Sequence, residues 1–247
     1  MATSKIITPE TPCGDGRVPS TGFEEDNGYD LPLAADEHLP VASVRYRILK
    51  PLLDLLLVFL TLPVAIPLGV LLAILVKLTS RGPVLYRHRR IGQYKQPIHV
   101  WKFRTMYQDS GHVLELYLNT HPEARLEWAQ THKLKNDPRI TPVGRFLRKT
   151  SLDEIPQLLN VLAGEMSLVG PRPIVDEERV KYGSYFRTYC HALPGITGLW
   201  QVSGRNDIGY AERVQIDVRY VEQWNLRMEL KILLKTCLVI FHRQGAY

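Results

Sequence analysis

The chain has 247 residues, of which 45% are hydrophobic and 23% are charged. It is long and apolar enough for one large domain or two small ones, which excludes wholly disordered, collagenous and disulfide-scaffold classes. Lys and Arg number 31 against 25 Asp and Glu, a net charge of +6. Residues 1–40 carry eight acids and two bases, whereas residues 41–247 carry 29 bases and 17 acids. This basic body favours a polyanionic partner, whether nucleic acid, an anionic membrane or a phosphorylated small molecule.

Diagnostic residue spacings narrow the choice of partner and metal. The cysteines Cys13, Cys190 and Cys237 show no metal-ligand spacing and indicate a reducing environment. The eight histidines form no H-E-x-x-H motif, so zinc is not expected and any metal should be bound by oxygen. The sequence contains no zinc finger, RNP motif, P-loop or G-x-G-x-x-G motif, so we expect no nucleic acid partner.

The first forty residues predict a disordered acidic tail. Five prolines stand there among Gly, Asp and Glu, with few large apolar residues to bury. No apolar run follows a basic start within the first thirty residues, so the tail is not expected to be a signal peptide.

Residues 41–80 predict a membrane segment that enters and leaves on the same side. Residues 51–76 are apolar apart from Asp54, which is long enough to cross a bilayer core of about 30 Å. Basic residues stand both before and after this run, and cytosolic loops attract positive charge. Pro63 and Pro67, with Gly69, fall near the middle of the run and predict an interruption of the helix. A re-entrant helix-break-helix satisfies both observations, and the alternative is a spanning helix with a proline kink.

The remainder, residues 81–247, predicts a mainly helical α+β domain. A β-hairpin is expected with arms VLYRHRR and PIHVWKF, followed by a helix over residues 110–132 interrupted near Pro122. Short elements separated by Pro and Gly come next. The last forty residues predict one or two helices with an apolar stripe, which lies either at the membrane surface or in the core.

The segment RKTSLDEIPQL, residues 148–158, carries the clearest chemistry. Ser151 and Glu154 fit a capping box, and the alternative cap is Asp153 because Pro156 favours the first helical turn. Either register places Asp153 and Glu154 at a helix N-terminus beside Arg148. Such a pair supplies a nucleophile and a metal ligand for attack on a phosphoryl group, or it serves only as a helix cap.

Other polar residues stand beside tight turns or among apolar neighbours. Arg172 lies between two prolines in GPRP, Arg205 lies in SGRN, and Lys102 ends the second arm of the hairpin. Their cationic groups suit a phosphate, although each is also compatible with a solvated surface position. Asp217 lies among apolar residues at helical spacing, which alone predicts a salt bridge.

Several motifs occur in one order along the chain: KFRTM, LKNDPRITPVGRFLRKTSLDEIPQL, GEMSLVGPRP and PGITGLWQVSGRND. Together they resemble the bacterial sugar transferases, the monotopic phosphoglycosyl transferases, over residues 45–247. The resemblance is strongest to the short exopolysaccharide enzymes that transfer galactose phosphate. It implies a re-entrant membrane helix, interfacial amphipathic helices and a catalytic domain on the cytoplasmic face of the bacterial inner membrane.

The resemblance also implies a reaction and roles for individual residues. Asp153 would attack the β-phosphate of a UDP-sugar and release UMP, and undecaprenyl phosphate would then accept the sugar phosphate. Glu154 would bind Mg²⁺. The other residues implied in substrate or phosphate binding are Arg148, Lys102, Arg172, Arg205 and Asp217.

Some expectations differ from the family pattern or stay open. Family members commonly have Ser-Pro at the helix break, whereas this chain has Ile66 and Pro67. The sugar is expected to be galactose, with glucose as the alternative, and a homodimer is left open. Two rivals remain, namely a non-catalytic membrane scaffold for glycan assembly and a single-pass protein with its body outside the membrane.

Overall fold

The structure is a computed structural model that describes residues 38–131, 134–204 and 208–242. The predicted acidic tail therefore lies almost wholly outside the described residues. Nine α-helices and four strands follow one another within these ranges: α1 (Val44–Thr79), β1 (Leu85–Ile91), β2 (Pro97–Phe103), α2 (Ser110–Thr120), α3 (Pro122–Thr131), α4 (Pro142–Thr150), α5 (Leu158–Leu162), β3 (Ser167–Val169), α6 (Arg179–Tyr182), α7 (Phe186–Tyr189), β4 (Gly195–Thr197), α8 (Tyr210–Gln223) and α9 (Leu226–His242).

The strands form two small sheets, which confirms an α+β fold that is mainly helical. β1 and β2 pair antiparallel as the predicted hairpin, with Leu85 opposite Phe103 and Ile91 opposite Pro97. β3 and β4 pair in parallel, as a two-stranded sheet. The helix predicted over residues 110–132 is divided at His121 into α2 and α3, and Pro122 begins the second helix as expected.

The helix α1 is longer and more continuous than the sequence predicts. Ser43 caps it by accepting a hydrogen bond from the Tyr46 backbone N–H at 3.2 Å, and the helix then runs for 36 residues. The predicted interruption at Ile66 and Pro67 therefore does not end the helix, and a change of direction there is a bend within α1. Proline keeps φ near the helical value, so each internal proline removes one hydrogen bond without forcing the chain out of the helix.

One side of α1 packs against the rest of the fold from its first turn to its last. Tyr46 contacts the Trp224 ring edge-on at 4.9 Å between ring centroids. Val58 packs into a cluster with residues of β2, α5 and the approach to β3, and Val76 packs with Phe103 and Leu147. Both ends of the long helix are therefore attached to the same body.

A buried charged network fixes the first half of α1. Lys50 Nζ lies 2.9 Å from Asp54 Oδ1 and 2.9 Å from Glu229 Oε2, and all three side chains are almost fully buried. Glu229 Oε1 also accepts hydrogen bonds from Tyr220 Oη and from Trp224 Nε1. This network explains the single acid in the apolar run, because Asp54 and Glu229 together hold a buried lysine that joins α1 to α9.

The other side of α1 is apolar and exposed. The helix is long and apolar enough to cross a membrane, and only 11% of its most apolar 18-residue stretch is buried inside the protein. On α9 one face is buried at Ile232, while a second apolar stripe is exposed at Leu230, Leu234 and Leu238. A large exposed apolar surface of this kind marks contact with a membrane or partner, and an apolar helix stripe flanked by lysines suits the membrane surface. The exposed residues of α1 include Leu52, Leu56, Phe59, Leu60, Val64, Ile66, Val70, Leu71, Ile74 and Leu78.

Candidate active site

A lysine from the hairpin meets two adjacent carboxylates from a short helix. Lys102 lies in β2, and Asp153 and Glu154 lie in the 3₁₀ helix Leu152–Gln157 that follows α4. The Lys102 Nζ lies 2.6 Å from Glu154 Oε1 and 3.8 Å from Asp153 Oδ2. β2 packs along this 3₁₀ helix, which brings together residues some fifty positions apart.

A sharp turn at Ser151 places the two carboxylates. Ser151 has a left-handed backbone conformation, with φ of 57° and ψ of 17°, and it separates α4 from the 3₁₀ helix. Its side chain makes no capping hydrogen bond, so the predicted capping box is absent, and the alternative cap at Asp153 is also wrong. Asp153 and Glu154 do lie in the first turn of the helix, as both registers predicted. The pair therefore has no capping role that would account for it.

Asp153 is shielded from water and has an unusual pKa. The residue is only 9% exposed, and burial raises the pKa of its carboxyl to about 6. The positive charge of Lys102 opposes this shift, the neighbouring Glu154 carboxylate adds to it, and Arg148 lowers the pKa again. The carboxylate is thus ionised at neutral pH with a pKa close to that pH, which suits a group that acts directly in chemistry.

Arg148 is held beside this carboxylate by a residue that the sequence patterns did not single out. Its Nε donates a hydrogen bond to Thr105 Oγ1 at 2.9 Å, and its charge interacts with Asp153. The burial of Arg148 lowers its pKa, and the Asp153 charge partly restores it. Gly144 lets α4 approach this point, because a Cβ there would lie 2.1 Å from the Thr105 carbonyl oxygen. Thr105 stands in the KFRTM segment, but sequence spacing gives no sign of its partner.

An open pocket gathers the basic groups around Glu154. Arg172 lies in its wall together with Lys102, and its guanidinium stacks over the Trp200 ring at 5.9 Å. The Arg172 carbonyl accepts a hydrogen bond from Tyr189 Oη at 3.0 Å, which fixes the GPRP loop. The remaining lining residues are His88, Arg90, Val100, Gln157, Pro173, Gly195, Ile196 and Gln201. Three cationic residues, Lys102, Arg90 and Arg172, line this small pocket together with the Glu154 carboxylate, so its charges suit phosphate oxygens.

Of the predicted residues, Lys102, Glu154 and Arg172 line this pocket, whereas Asp153 and Arg148 lie beside Lys102 and Thr105 and are not part of the lining. Asp217 does not line the pocket but is fully buried, where its Oδ2 accepts a hydrogen bond from Tyr182 Oη at 2.8 Å. Burial raises the pKa of Asp217 to about 7, while Tyr182 and the charges of Arg213 and Arg172 act in the opposite direction. Arg205 lies outside the described residues. Asp217 is therefore placed behind the Arg172 loop, where it can act only through its neighbours.

The carboxylate pair suits a magnesium ion held jointly with a substrate. Within the ranges that the structure describes, no group of three or more His, Cys, Asp or Glu side chains is placed to hold a metal ion. Mg²⁺ commonly takes only one or two protein carboxylates and completes its shell with substrate phosphates and water. Asp153 and Glu154 fit that donor set, although Glu154 is paired with Lys102 and would have to exchange or share that partner.

Comparison with known proteins points to one family. Residues 45–243 match the family model described as bacterial sugar transferase. The chain is 50% identical to the undecaprenyl-phosphate galactose phosphotransferase of Salmonella typhimurium over 81% of this chain and 42% of that protein. It is 50% identical to the exopolysaccharide production protein ExoY of Rhizobium meliloti over 73% of this chain and 80% of that protein. The UDP-glucose:undecaprenyl-phosphate glucose-1-phosphate transferase of Escherichia coli is 38% identical over 91% of this chain and 46% of that protein.

The aligned region thus covers most of this chain but only part of some of the relatives. The chain spans less than half the length of the Salmonella and Escherichia proteins and about four fifths of the Rhizobium protein. The family model covers the long apolar helix, the hairpin and the segment with the paired carboxylates. The chain therefore belongs to the bacterial sugar transferase family.

Proposed function

We propose that this protein is a phosphoglycosyl transferase that moves hexose 1-phosphate from a UDP-sugar to undecaprenyl phosphate. The observation that carries the proposal is the buried Asp153 carboxylate, which lies 3.8 Å from Lys102, one of three cationic residues that line the pocket. The galactose and glucose phosphotransferases among the relatives support the same reaction class. The product would start an exopolysaccharide or O-antigen type of glycan.

In the first half of the reaction, Asp153 acts as the nucleophile. A carboxylate oxygen forms a bond to the β-phosphorus, the bond from that phosphorus to the bridging oxygen breaks, and UMP leaves with the electron pair. The product on the protein is a sugar-phosphoryl aspartate. Lys102 and Arg172, which line the pocket, and Arg148, whose charge interacts with Asp153, would offset the charge of the phosphoryl oxygens.

In the second half, undecaprenyl phosphate occupies the same cation-lined pocket. One of its phosphate oxygens bonds to the same phosphorus, and the bond to Asp153 breaks, which restores the carboxylate and yields a polyprenyl diphosphate sugar. Neither half requires a proton transfer to or from the protein. A covalent route lets a soluble donor and a lipid acceptor use one set of charges in turn.

Glu154, the carboxylate next to the proposed nucleophile, would hold a Mg²⁺ ion in this proposal. When bound, such an ion neutralises charge on the diphosphate and on the departing UMP. The support for it is the donor set, two adjacent carboxylates beside a phosphate-binding pocket. Lys102, which pairs with Glu154 at 2.6 Å, would share that carboxylate with the ion.

We further propose that α1 enters the cytoplasmic leaflet of the inner membrane and returns to the same side. The first turn of α1 packs against Trp224 and the last turns pack against Phe103 and Leu147, so both ends remain with one body. A helix that crossed the bilayer once would separate its two ends by the thickness of the membrane. Basic residues near both ends agree with a cytoplasmic location for each.

The test of the proposed function is a donor panel. Purified protein with Mg²⁺ and undecaprenyl phosphate is incubated with UDP-galactose, UDP-glucose and UDP-N-acetylhexosamines, and UMP release is measured. We expect UMP with at least one hexose donor, with UDP-galactose preferred. A protein that serves only as a membrane scaffold would release no UMP from any donor, and that result would end the proposal.

A further inference from the structure

One polar side chain in the pocket has no partner. Gln157 is only 3% exposed, yet it lines the pocket beside Lys102 and Glu154. Among the described residues, its side-chain amide neither donates nor accepts a hydrogen bond. The amide atoms of Gln157 are not among the buried unpaired side-chain atoms of the described residues, so they are reached from the pocket, where water or a ligand can pair with them. The open side of Gln157 therefore faces the space that a substrate would fill.

A second buried amide, one helical turn further on, shows the ordinary arrangement. The Asn160 Oδ1 accepts a hydrogen bond from the Trp101 N–H at 3.0 Å, and its Nδ2 donates to the His99 carbonyl at 2.8 Å and to Glu165 Oε2 at 2.6 Å. Asn160 is thus satisfied by the protein and ties α5 to β2. Gln157 lies on the same stretch of chain but takes no part in this network, so its amide is available to a molecule that occupies the pocket.

The position of Gln157 limits what it can contact. In a 3₁₀ helix, residues three apart are eclipsed, so Gln157 stands directly one turn beyond Glu154. The phosphorus attacked by Asp153 must lie beside that carboxylate. The hexose is joined to this phosphorus through a single oxygen, whereas the uracil base is separated from it by a second phosphate and a ribose.

The chemistry of an amide also favours the hexose. Phosphate oxygens only accept hydrogen bonds and are matched by the cations Lys102, Arg90 and Arg172 in the same pocket. A sugar hydroxyl both donates and accepts, as does the side-chain amide of glutamine. His88 and Gln201 add further neutral polar groups to the lining. The pocket thus combines a cationic part for the diphosphate with neutral groups for hydroxyls.

On the basis of the proposed function, we propose that Gln157 hydrogen-bonds a hydroxyl group of the donor's hexose and contributes to the choice of sugar. It is a substrate-binding residue and takes no part in bond breaking. A site that hydrogen-bonds a hydroxyl discriminates strongly against an analogue that lacks it, because its own polar groups are then left unpaired.

The experiment compares the wild-type protein with Gln157→Met, which keeps the length and shape of the side chain but removes the amide. The kcat/KM for UMP release is measured with UDP-galactose, UDP-glucose and UDP-hexoses that each lack one hydroxyl. We expect Gln157→Met to lower kcat/KM about tenfold for the preferred hexose, the effect of one lost hydrogen bond. For the one analogue that lacks the contacted hydroxyl, the two proteins should be equally active.

Two further readouts distinguish a contact with the hexose from a contact with the nucleotide and from a loss of folding. UMP inhibition should be the same in both proteins, and a weaker inhibition in Gln157→Met would mean that the amide contacts the nucleotide, which would overturn the inference. An equal loss of activity on every donor would overturn it as well. Melting temperature should be unchanged in Gln157→Met and clearly lower in Asn160→Leu, which loses three hydrogen bonds. If the wild-type protein releases UMP but Gln157→Met has the same order of preference among the donor sugars, the inference about Gln157 is wrong and the proposed function stands. If the wild-type protein releases no UMP from any donor, the proposed function itself is wrong.

Discussion

Burial raises the pKa of the proposed nucleophile Asp153 and the charge of Lys102 opposes that shift, so removal of Lys102 should change the pH dependence of the reaction. In the substitution Lys102→Gln, Asp153 loses a positive charge 3.8 Å away, and Glu154 loses its partner at 2.6 Å. Both changes favour the protonated form of Asp153. Because the nucleophile must be ionised, activity should then require a higher pH than in the wild-type protein.

The size of the shift follows from the distance. Two unit charges 3.8 Å apart interact by about 1 kcal/mol in water and about 4 kcal/mol at an effective dielectric constant of about 20. Lys102 is 29% exposed, so solvent screening places the effect towards the lower value. One pKa unit corresponds to about 1.4 kcal/mol, so the pKa of Asp153 should rise from about 6 by about one to two units.

The assay is kcat/KM for UMP release as a function of pH, which reports groups of the free enzyme. In the wild-type protein, kcat/KM should fall as the pH is lowered and should reach half of its maximum near pH 6, since the Asp153 pKa is raised to about 6. Lys102→Gln should move that midpoint upward, whatever the loss in maximum rate. Lys149→Gln, which removes the same charge from an exposed position on α4, should leave it in place. An unchanged or lowered midpoint in Lys102→Gln would refute this account of Asp153.

Three other predictions follow from the packing and the donor set. Lys50→Met should lower the free energy of unfolding by about 3–5 kcal/mol, because it leaves Asp54 and Glu229 buried without their cation. Chemical denaturation in detergent measures this change, and a decrease below about 1 kcal/mol would contradict the prediction. Gly144→Ala should lower the free energy of unfolding by about 1–3 kcal/mol and reduce the rate of UMP release, because the new Cβ would lie 2.1 Å from the Thr105 carbonyl oxygen. An unchanged melting temperature and an unchanged rate would contradict this prediction. Chelation of divalent ions with EDTA should abolish UMP release and added Mg²⁺ should restore it, whereas full activity in EDTA would remove the proposed metal.

The sequence predicted those features that depend on local patterns. Alternating β-branched and aromatic residues gave the hairpin, and Pro122 gave the start of α3. The adjacency of Asp153 and Glu154 was visible in the motif, and the structure places Lys102 beside them and Arg148 near Asp153. Local patterns succeed for the hairpin, for Pro122 and for the adjacent carboxylates because the deciding interactions lie within a few residues, whereas the contact with Lys102 joins residues some fifty positions apart.

Features that depend on distant partners could not be predicted in this way. Asp54 was the visible exception in an apolar run, but its network with Lys50 and Glu229 requires α9 to pack on α1. The prolines of α1 predicted an interruption because their lost hydrogen bonds are local, whereas the packing along its length is not. Gln157 is an ordinary residue in the motif, and only the position of its unpaired amide in the pocket lining distinguishes it.

The most direct test of the proposed mechanism is the detection of the covalent intermediate. The protein is incubated with Mg²⁺ and its preferred UDP-sugar without lipid acceptor, then quenched, digested and analysed by mass spectrometry. We predict a hexose-phosphate adduct on the peptide that contains Asp153, released when undecaprenyl phosphate is added, and no adduct or UMP with Asp153→Asn. Full UMP release by Asp153→Asn, or steady turnover of the wild-type protein without an adduct at this position, would contradict the central claim.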